Sequence, residues 1–189
     1  MSKKKRIAIF ASGNGSNFEA IAQACLKNRI NAEVALCVCD HPGAYVTERA
    51  KKLGIPVLEL RPKSFSSKEE YERTILSELK KEEVEFIALA GYMRIIGPVL
   101  LKEYEQRIIN IHPSLLPSFP GVDAIGQALK YGVKVFGVTV HYVDETLDGG
   151  EIISQAAIPY DGNDREELEA MIHAREHVLY ISSLKTLLN

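Results

Sequence analysis

The sequence predicts an α/β fold: a mostly parallel, doubly wound sheet of about seven strands with helices on both faces. Through the first half of the chain, short runs with the strand pattern alternate with longer runs of helical periodicity. The strand run from Phe86 to Ala90 is apolar throughout, as a central strand is when helices cover both faces of a parallel sheet. The alternation and this apolar strand together indicate repeated βα units in a Rossmann-like arrangement.

Local signals justify the elements of the first half. The predicted strands run from Arg6 to Ala11, Ala32 to Cys39, Val57 to Leu60 and Phe86 to Ala90, and the helices between them from Phe18 to Lys27, Ala44 to Leu53 and Ser67 to Glu83. Gly54 ends the second helix, because glycine accepts the left-handed conformation that follows a helix C-terminus. A Ser-x-x-Glu pattern opens the third helix, with Ser66 or Ser67 as its N-cap.

The pattern changes after a fifth predicted strand, Arg107 to His112. Pro113, Pro117 and Pro120 then predict a long loop, because proline fixes its own backbone and has no N–H to donate. The remaining predicted elements are a helix from Ala124 to Lys130, strands from Lys134 to Tyr142 and from Glu151 to Ile158, and a long helix from Asp164 to Leu188. Since the sequence has no internal repeat, linker or low-complexity stretch, we expect residues 1–189 to form a single domain.

Composition and charge exclude several classes of protein. The chain has 189 residues, 46% of them hydrophobic and 25% charged, which is ordinary for a globular domain. The net charge of −2 provides no basic surface for nucleic acid, and no apolar run approaches the roughly 20 residues of a membrane span. Cys25, Cys37 and Cys39 form no CxxC pair, and the apolar run from Ile7 to Ala11 is too short for an export signal. We therefore expect a cytoplasmic protein with reduced thiols that binds neither nucleic acid nor membranes.

A glycine-rich loop, Gly13-Asn14-Gly15-Ser16-Asn17, lies between the first strand and the first helix. Its two glycines allow a tight turn, and the free N–H groups of the helix can bind an anion while Ser16 or Asn17 caps the helix. The loop lacks the third glycine of G-x-G-x-x-G and the Gly-Lys-Ser/Thr of a Walker loop. It therefore predicts a site for a phosphate monoester rather than for NAD or ATP, although a turn that binds no ligand fits the same residues.

Asn110 and His112 lie two residues apart at the end of the fifth predicted strand. The period of two puts both side chains on one face, at the edge where catalytic groups sit in open α/β sheets. An amide donates to an oxyanion, and an imidazolium both stabilises that charge and passes a proton. Asp148, in a Leu-Asp-Gly-Gly turn, would hold the imidazole and favour its protonated form. These groups predict a reaction through a tetrahedral oxyanion, and Thr139 and His141 add a second same-face pair on a later strand.

Four longer motifs are spread over nearly the whole chain: FASGNGSN at residues 10–17, LAGYMRI at 89–95, NIHPSLLP at 110–117, and GVTVHYV at 137–143 followed by LDGG at 147–150. They resemble the folate-dependent phosphoribosylglycinamide formyltransferase family of purine biosynthesis. The resemblance implies a formyltransferase fold, in which residues 1–100 form a phosphate-binding and ribonucleotide-binding half and residues 101–189 a catalytic and folate-binding half. The NIHPSLLP run is shared by the wider group of enzymes that use formyltetrahydrofolate. The glycine-rich loop narrows the choice of substrate, because it matches the family's site for the ribose phosphate.

The resemblance also implies which residues bind each substrate. For glycinamide ribonucleotide these are Gly13, Asn14, Gly15, Ser16, Asn17, Lys68 and Glu176. Lys68 keeps the charge of the Arg that many relatives have there but loses its fork geometry. For the folate they are Met93, Arg94, Ile95, Ile96, Asn110, His141, Val143 and Asp144. The implied reaction is attack of the ribonucleotide amine on the formyl carbon of the co-substrate 10-formyltetrahydrofolate, without a metal and with the catalytic residues Asn110, His112 and Asp148.

Alternatives remain open at this point. A formyltransferase that acts on another amine, such as that of a sugar nucleotide, would share the core motifs. His173-Ala174-Arg175-Glu176-His177 also matches the H-x-x-E-H signature of a zinc hydrolase, but the twelve residues after it contain no acid, His or Cys as a third ligand. Methionyl-tRNA formyltransferases and formyltetrahydrofolate deformylases usually carry an additional domain, for which we expect no room in this chain. The sequence also leaves open whether the chain forms a homodimer.

Overall fold

A computed structural model describes residues 3–188, so that Met1, Ser2 and Asn189 of the predicted domain lie outside the described residues. Within this range seven strands form one sheet: β1 (Lys5–Ala11), β2 (Ala32–Cys39), β3 (Val57–Glu59), β4 (Phe86–Leu89), β5 (Ile108–His112), β6 (Val135–Tyr142) and β7 (Ile152–Pro159). Their order is β3-β2-β1-β4-β5-β6-β7. The first five strands are parallel, and β6 and β7 each run antiparallel to the strand before. The predicted α/β class with a mostly parallel sheet is confirmed.

Six α-helices lie in the same range: α1 (Ser16–Leu26), α2 (Tyr45–Lys52), α3 (Lys68–Lys81), α4 (Pro98–Glu103), α5 (Ala124–Tyr131) and α6 (Arg165–Leu187). A short 3-10 turn covers Pro62–Ser64. The sequence predicts all of the α-helices except α4, whose six residues are too few to show a helical period. None of the described helices is long and apolar enough to cross a membrane.

The sheet divides the core into layers, because alternate residues of each strand face opposite sides. On β1, Ile7, Ile9 and Ala11 pack with α1, α2 and α6. Ala8 and Phe10 face the other side and pack with α3 and α4. A third cluster joins α5 and the first half of α6 to β6 and β7. Since helices cover both faces of the sheet, the polar groups of a site have room at the ends of the strands.

The start of α3 distinguishes between the two predicted caps. Ser67 Oγ accepts a hydrogen bond from Glu70 N at 3.1 Å, so Ser67 is the N-cap. The amide and the hydroxyl of Ser66 instead donate to the Glu70 carboxylate, at 2.8 and 2.6 Å. Both serines therefore stabilise the first turn of α3, each through a different group of Glu70.

Candidate active site

The carboxyl ends of β1, β4 and β5 lie side by side, because these strands are parallel neighbours in the sheet. The loops after β1 and β4 are bonded to each other: Ser12 N donates to Gly91 O at 3.0 Å, and Met93 N donates to Ser12 Oγ at 2.8 Å. The glycine-rich loop and the segment that contains Met93 therefore meet at the edge where β5 ends with His112. This is the edge at which open α/β sheets bind their ligands.

The glycine-rich loop takes a shape that requires glycine at position 15. The φ angle of Gly15 is +79°, and a Cβ there would lie 2.5 Å from Val46 Cγ2 on α2. Val46 N also donates to Gly13 O at 3.0 Å. Helix α2 thus supports the loop, which leads directly into the first turn of α1.

Neither Ser16 nor Asn17 caps α1, so the predicted cap is wrong. Gly15 occupies the N-cap position, and within residues 3–188 no side-chain capping hydrogen bond is made there. The amide of Asn17 instead donates to Glu176 Oε2 on α6 at 2.9 Å, because both side chains are buried and need a partner. The first turn of α1 thereby keeps N–H groups without a capping side chain, as an anion site requires.

His112 is buried at the end of β5 between two oxygen acceptors. Its Nδ1 lies 3.5 Å from Asp148 Oδ2, and its Nε2 donates to the carbonyl oxygen of Phe119 at 2.9 Å. Asp148 Oδ2 also accepts a hydrogen bond from Gly121 N at 2.7 Å. The imidazole and carboxylate that the sequence pairs are therefore neighbours, and the loop that contains Phe119 and Gly121 contacts both. No residue type marks this loop contact in the sequence, because it is made by backbone groups.

Asn110 and His141 lie opposite each other on β5 and β6. His141 Nδ1 donates to the carbonyl oxygen of Tyr142 at 2.8 Å, which leaves Nε2 to accept from Asn110 Nδ2 at 3.3 Å. Burial lowers the pKa of His141, although the Tyr142 carbonyl and Asp148 act in the opposite direction. A lowered pKa favours the neutral ring that this acceptor role needs. One hydrogen of the Asn110 amide is thereby bound, and the other can serve a ligand.

Thr139 is fully buried and holds the loop that follows β5. Its hydroxyl donates to Ser114 O at 2.7 Å and accepts from Leu116 N at 3.1 Å and from Gln155 Nε2 at 3.0 Å. The sequence pairs Thr139 with His141 because both lie on one face of the strand. The structure gives them different partners: Thr139 anchors the loop backbone, whereas His141 contacts the amide of Asn110.

The predicted folate segment presents apolar side chains to solvent. Met93 and Ile95 are 75% and 64% exposed, whereas Ile96 is buried. The guanidinium carbon of Arg94 lies 5.6 Å from the ring centroid of Tyr71, and a small cleft beside it is lined by Arg94 together with Lys68. The structure thus brings Lys68 next to the predicted folate segment, and its contact with the ribonucleotide stays a prediction.

The loop from Val143 to Asp148 lies next to His112. Val143 N donates to Ile108 O at 2.9 Å, which ties the start of the loop to β5. Asp144 Oδ1 accepts from Thr146 Oγ1 at 2.5 Å and from Thr146 N at 2.8 Å, and these hydrogen bonds lower the pKa of Asp144. The loop therefore has an internal turn at Asp144, while its far end carries the carboxylate of Asp148.

The H-x-x-E-H residues lie on α6, where Glu176 joins them to the glycine-rich loop. Glu176 Oε2 accepts hydrogen bonds from His173 Nδ1 and from Asn17 Nδ2, each at 2.9 Å. The hydrogen bond to Glu176 raises the pKa of His173. In the described part of the chain, no three His, Cys, Asp or Glu side chains lie close enough together to hold a metal ion. The geometry thus connects Glu176 with the predicted phosphate site rather than with a set of metal ligands.

Comparison with known proteins gives consistent matches. A family model described as formyl transferase matches residues 5–184. The chain is 55% identical over 185 residues to the phosphoribosylglycinamide formyltransferase of Bacillus subtilis (strain 168). The aligned residues cover 97% of this chain and 95% of that protein. It is 44% identical over 97% of its length to the trifunctional purine biosynthetic protein adenosine-3 of Drosophila pseudoobscura pseudoobscura, of which it spans 14%. The crystal structure of glycinamide ribonucleotide transformylase 1 from Geobacillus kaustophilus is 53% identical, with a TM-score of 0.96 over 98% of this chain and 100% of that one.

Proposed function

The chain belongs to the formyl transferase family, and we infer that it transfers the formyl group of 10-formyltetrahydrofolate to the amine of N1-(5-phospho-D-ribosyl)glycinamide. The products are the N2-formyl compound and tetrahydrofolate, and the reaction is a step of de novo purine (IMP) biosynthesis. The observation that carries this inference is the group of polar side chains at the end of β5. Asp148 lies 3.5 Å from His112 and 3.8 Å from His141, and His141 lies 3.3 Å from the amide of Asn110.

In this proposal the glycine-rich loop binds the phosphate of the ribonucleotide. Residues 15–17 offer backbone N–H groups at the positive end of the α1 dipole, and Gly13 and Asn14 shape the loop. Glu176 lies beside this loop, and among residues 3–188 the side chains of Asn17 and His173 donate to its Oε2. We assign Oε1 of Glu176 to bind the amine of the substrate. The positive charge of Lys68 is assigned to the anionic ribonucleotide.

The formyl donor binds between two walls. The backbone of residues 93–96 forms one wall against the pteridine ring, and the loop from Val143 to Asp148 forms the other. Exposed Met93 and Ile95 support this assignment, because apolar side chains at a cleft gain free energy when a flat ring removes them from water. His141 contributes by holding the amide of Asn110 in place.

The reaction begins when the glycyl amine attacks the formyl carbon. A C–N bond forms, and the resulting oxyanion is held by the free hydrogen of the Asn110 amide and by an N–H of His112. The attacking nitrogen then loses a proton while the bond to the folate nitrogen breaks, and that nitrogen gains a proton. His112 relays the proton directly or through a water molecule held by Asp148. The scheme needs no metal, because the amine is a competent nucleophile near neutral pH.

His112 must exchange one partner before it can act. In the structure its Nε2 donates to the Phe119 carbonyl, and its Nδ1 faces Asp148. We propose that the substrate oxygen replaces the Phe119 carbonyl as the acceptor while Asp148 keeps the other side of the ring. A shift of the loop around Phe119 on substrate binding follows from this exchange.

The two halves of the chain share the sites in this proposal. Residues 1–100 supply the phosphate loop but also the folate wall at residues 93–96, and residues 101–189 supply the catalytic groups but also Glu176. The hydrogen bond between Asn17 and Glu176 supports this mixed arrangement, because it joins the two halves at the ribonucleotide site. A cytoplasmic location and a homodimer stay predictions, and sedimentation analysis of the purified chain would decide the second.

The test is a spectrophotometric assay of the purified protein with 10-formyltetrahydrofolate and a panel of acceptors. The panel contains glycinamide ribonucleotide, an amino sugar nucleotide, and water alone. We expect formyl transfer to glycinamide ribonucleotide and little to the others. Transfer to the sugar amine, or release of formate to water without transfer to the ribonucleotide, would overturn the proposed substrate.

A further inference from the structure

Arg49 on α2 holds the glycine-rich loop through a set of contacts that the sequence motifs do not include. Its Nε donates to Asn14 O at 2.9 Å, and its Nη2 donates to Asn14 Oδ1 at 2.8 Å. Its Nη1 forms an ion pair with Glu19 Oε2 on α1. One guanidinium group thus bonds to the backbone of the loop, to a side chain of the loop and to the helix that follows.

These contacts fix the part of the loop that precedes the N–H groups of α1. Asn14 lies directly before Gly15, whose left-handed backbone turns the chain into the helix. A guanidinium group has a planar set of donors, so it can fix a carbonyl and an amide oxygen in one geometry, which an ammonium group cannot do. The position of Asn14 therefore depends on Arg49, and the direction of the following N–H groups depends on Asn14.

The ion pair with Glu19 has a second consequence. Glu19 lies in the first turn of α1, within one turn of the place where a phosphate would bind. A bare carboxylate there would repel the phosphate dianion, because like charges within a few ångströms destabilise each other. The side chain of Arg49 is only 19% exposed, so its charge is not lost to bulk solvent and can compensate Glu19.

We propose that Arg49 is a positioning residue of the ribonucleotide site: it fixes Asn14 and neutralises Glu19, so that the loop can accept a phosphate monoester. The proposal rests on the proposed function, since it takes glycinamide ribonucleotide as the ligand of the loop. In the proposed site Arg49 makes no contact with the reacting atoms, and it acts through the loop alone.

The first test compares Arg49→Ala with Arg73→Ala. Arg73 is a matched control, because it is an exposed helix arginine that pairs with Glu69 far from the loop in sequence. In Arg49→Ala we expect the KM for the ribonucleotide to rise about tenfold or more, as the loss of charge-assisted hydrogen bonds would cause. The KM for 10-formyltetrahydrofolate and kcat should change by less than about threefold, and Arg73→Ala should match the wild type.

A second set of variants separates the two roles of Arg49. Arg49→Lys keeps a positive charge near Glu19 but loses the planar set of guanidinium donors. Its KM for the ribonucleotide should therefore lie between those of the wild type and Arg49→Ala. The double variant Arg49→Ala/Glu19→Gln removes the exposed carboxylate and should recover part of the loss. A protein that is only less well folded would lose affinity for both substrates, so an unchanged KM for 10-formyltetrahydrofolate in these variants separates a positioning role from a loss of folding.

The proposal fails if Arg49→Ala leaves the ribonucleotide KM within about twofold of the wild type, or if both KM values rise together. It also fails if Glu19→Gln recovers nothing. Should Arg49→Ala not fold, an unchanged ribonucleotide KM in Arg49→Lys would overturn it. Calorimetric titration with glycinamide ribonucleotide alone separates this result from the proposed function: a wild type that binds the ribonucleotide without transferring formyl would contradict the activity, while the Kd of the variants would still test Arg49.

Discussion

The two loops that the proposal assigns to substrate binding are held in different ways. The glycine-rich loop is bonded to α2 through Val46 N and Arg49, and to α6 through Glu176. Between Asp144 and Asp148 the second loop is held by hydrogen bonds from Thr146 and from Gly121. The first loop is thus fixed by helices that are distant in sequence, whereas the second depends on its own turn and on another loop. Its middle residues 144–147 are also exposed.

The difference indicates that the two loops have different roles in binding. An anion site gains affinity when its donors are already in place, since no ordering free energy is then spent on binding. A flat folate ring must be enclosed from both sides, which favours a loop that can adjust. We therefore expect substitutions near the first loop to weaken ribonucleotide binding, because they displace N–H donors that are already in place. Substitutions at the end of the second loop, near Asp148, should instead slow the chemical step.

The largest effect should come from the reacting groups at the second loop. We expect His112→Ala and Asp148→Asn each to lower kcat by at least about 100-fold to 1000-fold, because the first removes an oxyanion donor and the second removes the carboxylate beside its ring. Binding of both substrates should be mostly kept, because neither side chain is assigned a contact with the phosphate or the pteridine ring, and Asp148→Asn keeps an oxygen that can accept from Gly121 N. Steady-state kinetics checks this, with Asp161→Asn as a control at a carboxylate that is 91% exposed. Full turnover in either variant would remove the catalytic assignment.

Rigidity of the first loop is tested by Gly15→Ala. The new Cβ would lie 2.5 Å from Val46 Cγ2 on a backbone with φ of +79°. We expect a loss of about 2 to 4 kcal/mol in the free energy of unfolding, since left-handed strain and overpacking add.

Gly54→Ala is the matched control for this substitution. Gly54 also has a positive φ, of +69°, but a Cβ there would meet nothing within 4 Å. It should cost only the strain of about 1 to 2 kcal/mol. Equal losses in the two variants, measured by urea unfolding, would show that α2 does not constrain the loop.

A smaller effect is expected at Thr139, which anchors the loop that contacts His112 and Asp148. Thr139→Val keeps the shape of the side chain but leaves Ser114 O and Leu116 N without its hydroxyl. We expect a loss of about 1 to 3 kcal/mol in the free energy of unfolding, because buried polar groups then lack a partner. Thr74→Val removes an exposed hydroxyl that donates to Glu70 O at 3.0 Å and should change stability by less than about 0.5 kcal/mol.

The smallest effect concerns the pH dependence of the contact between α6 and the first loop. The hydrogen bond to Glu176 raises the pKa of His173, whereas burial lowers that of His177. A raised pKa means that the folded chain holds the proton more tightly than the unfolded chain. This stabilisation is therefore complete below the unfolded pKa of about 6.5 and is lost as the pH rises through the folded value.

NMR titration of the two imidazoles measures this difference. His173 should titrate above its ordinary value and His177 below it. Glu176→Gln should move the pKa of His173 down by removing its charged acceptor. A His173 pKa that does not respond to Glu176→Gln would show that this pair does not hold α6 against the loop.

Local patterns predicted much of the architecture and the placement of Asn110 and His112. The apolar run from Phe86 to Ala90 indicated a covered parallel sheet, and the two-residue spacing of Asn110 and His112 put them on one strand face because a strand repeats every two residues. The predicted cap of α1 was wrong because the helix begins at Ser16 and not at Phe18. Gly15 takes the N-cap position, so Asn17 lies in the first turn, where its amide donates to Glu176, 159 residues away in sequence.

Other features of the site carry no local pattern. Arg49 and the Phe119 carbonyl reach the site through tertiary contacts, and a backbone carbonyl has no residue type that would mark it. Helix α4 is too short for its period to stand out. The sequence alone therefore identifies the groups suited to the chemistry better than the groups that position them.

Formyl transfer itself is tested most directly with a donor that carries ¹³C in its formyl group. Wild-type protein, glycinamide ribonucleotide and the labelled 10-formyltetrahydrofolate are mixed, and the position of the label is followed by ¹³C NMR. We expect the label to appear on the glycyl nitrogen of the ribonucleotide, and in Asp148→Asn to stay on the folate over the same time. Label released as formate, or moved to the ribonucleotide at an equal rate in Asp148→Asn, would contradict it.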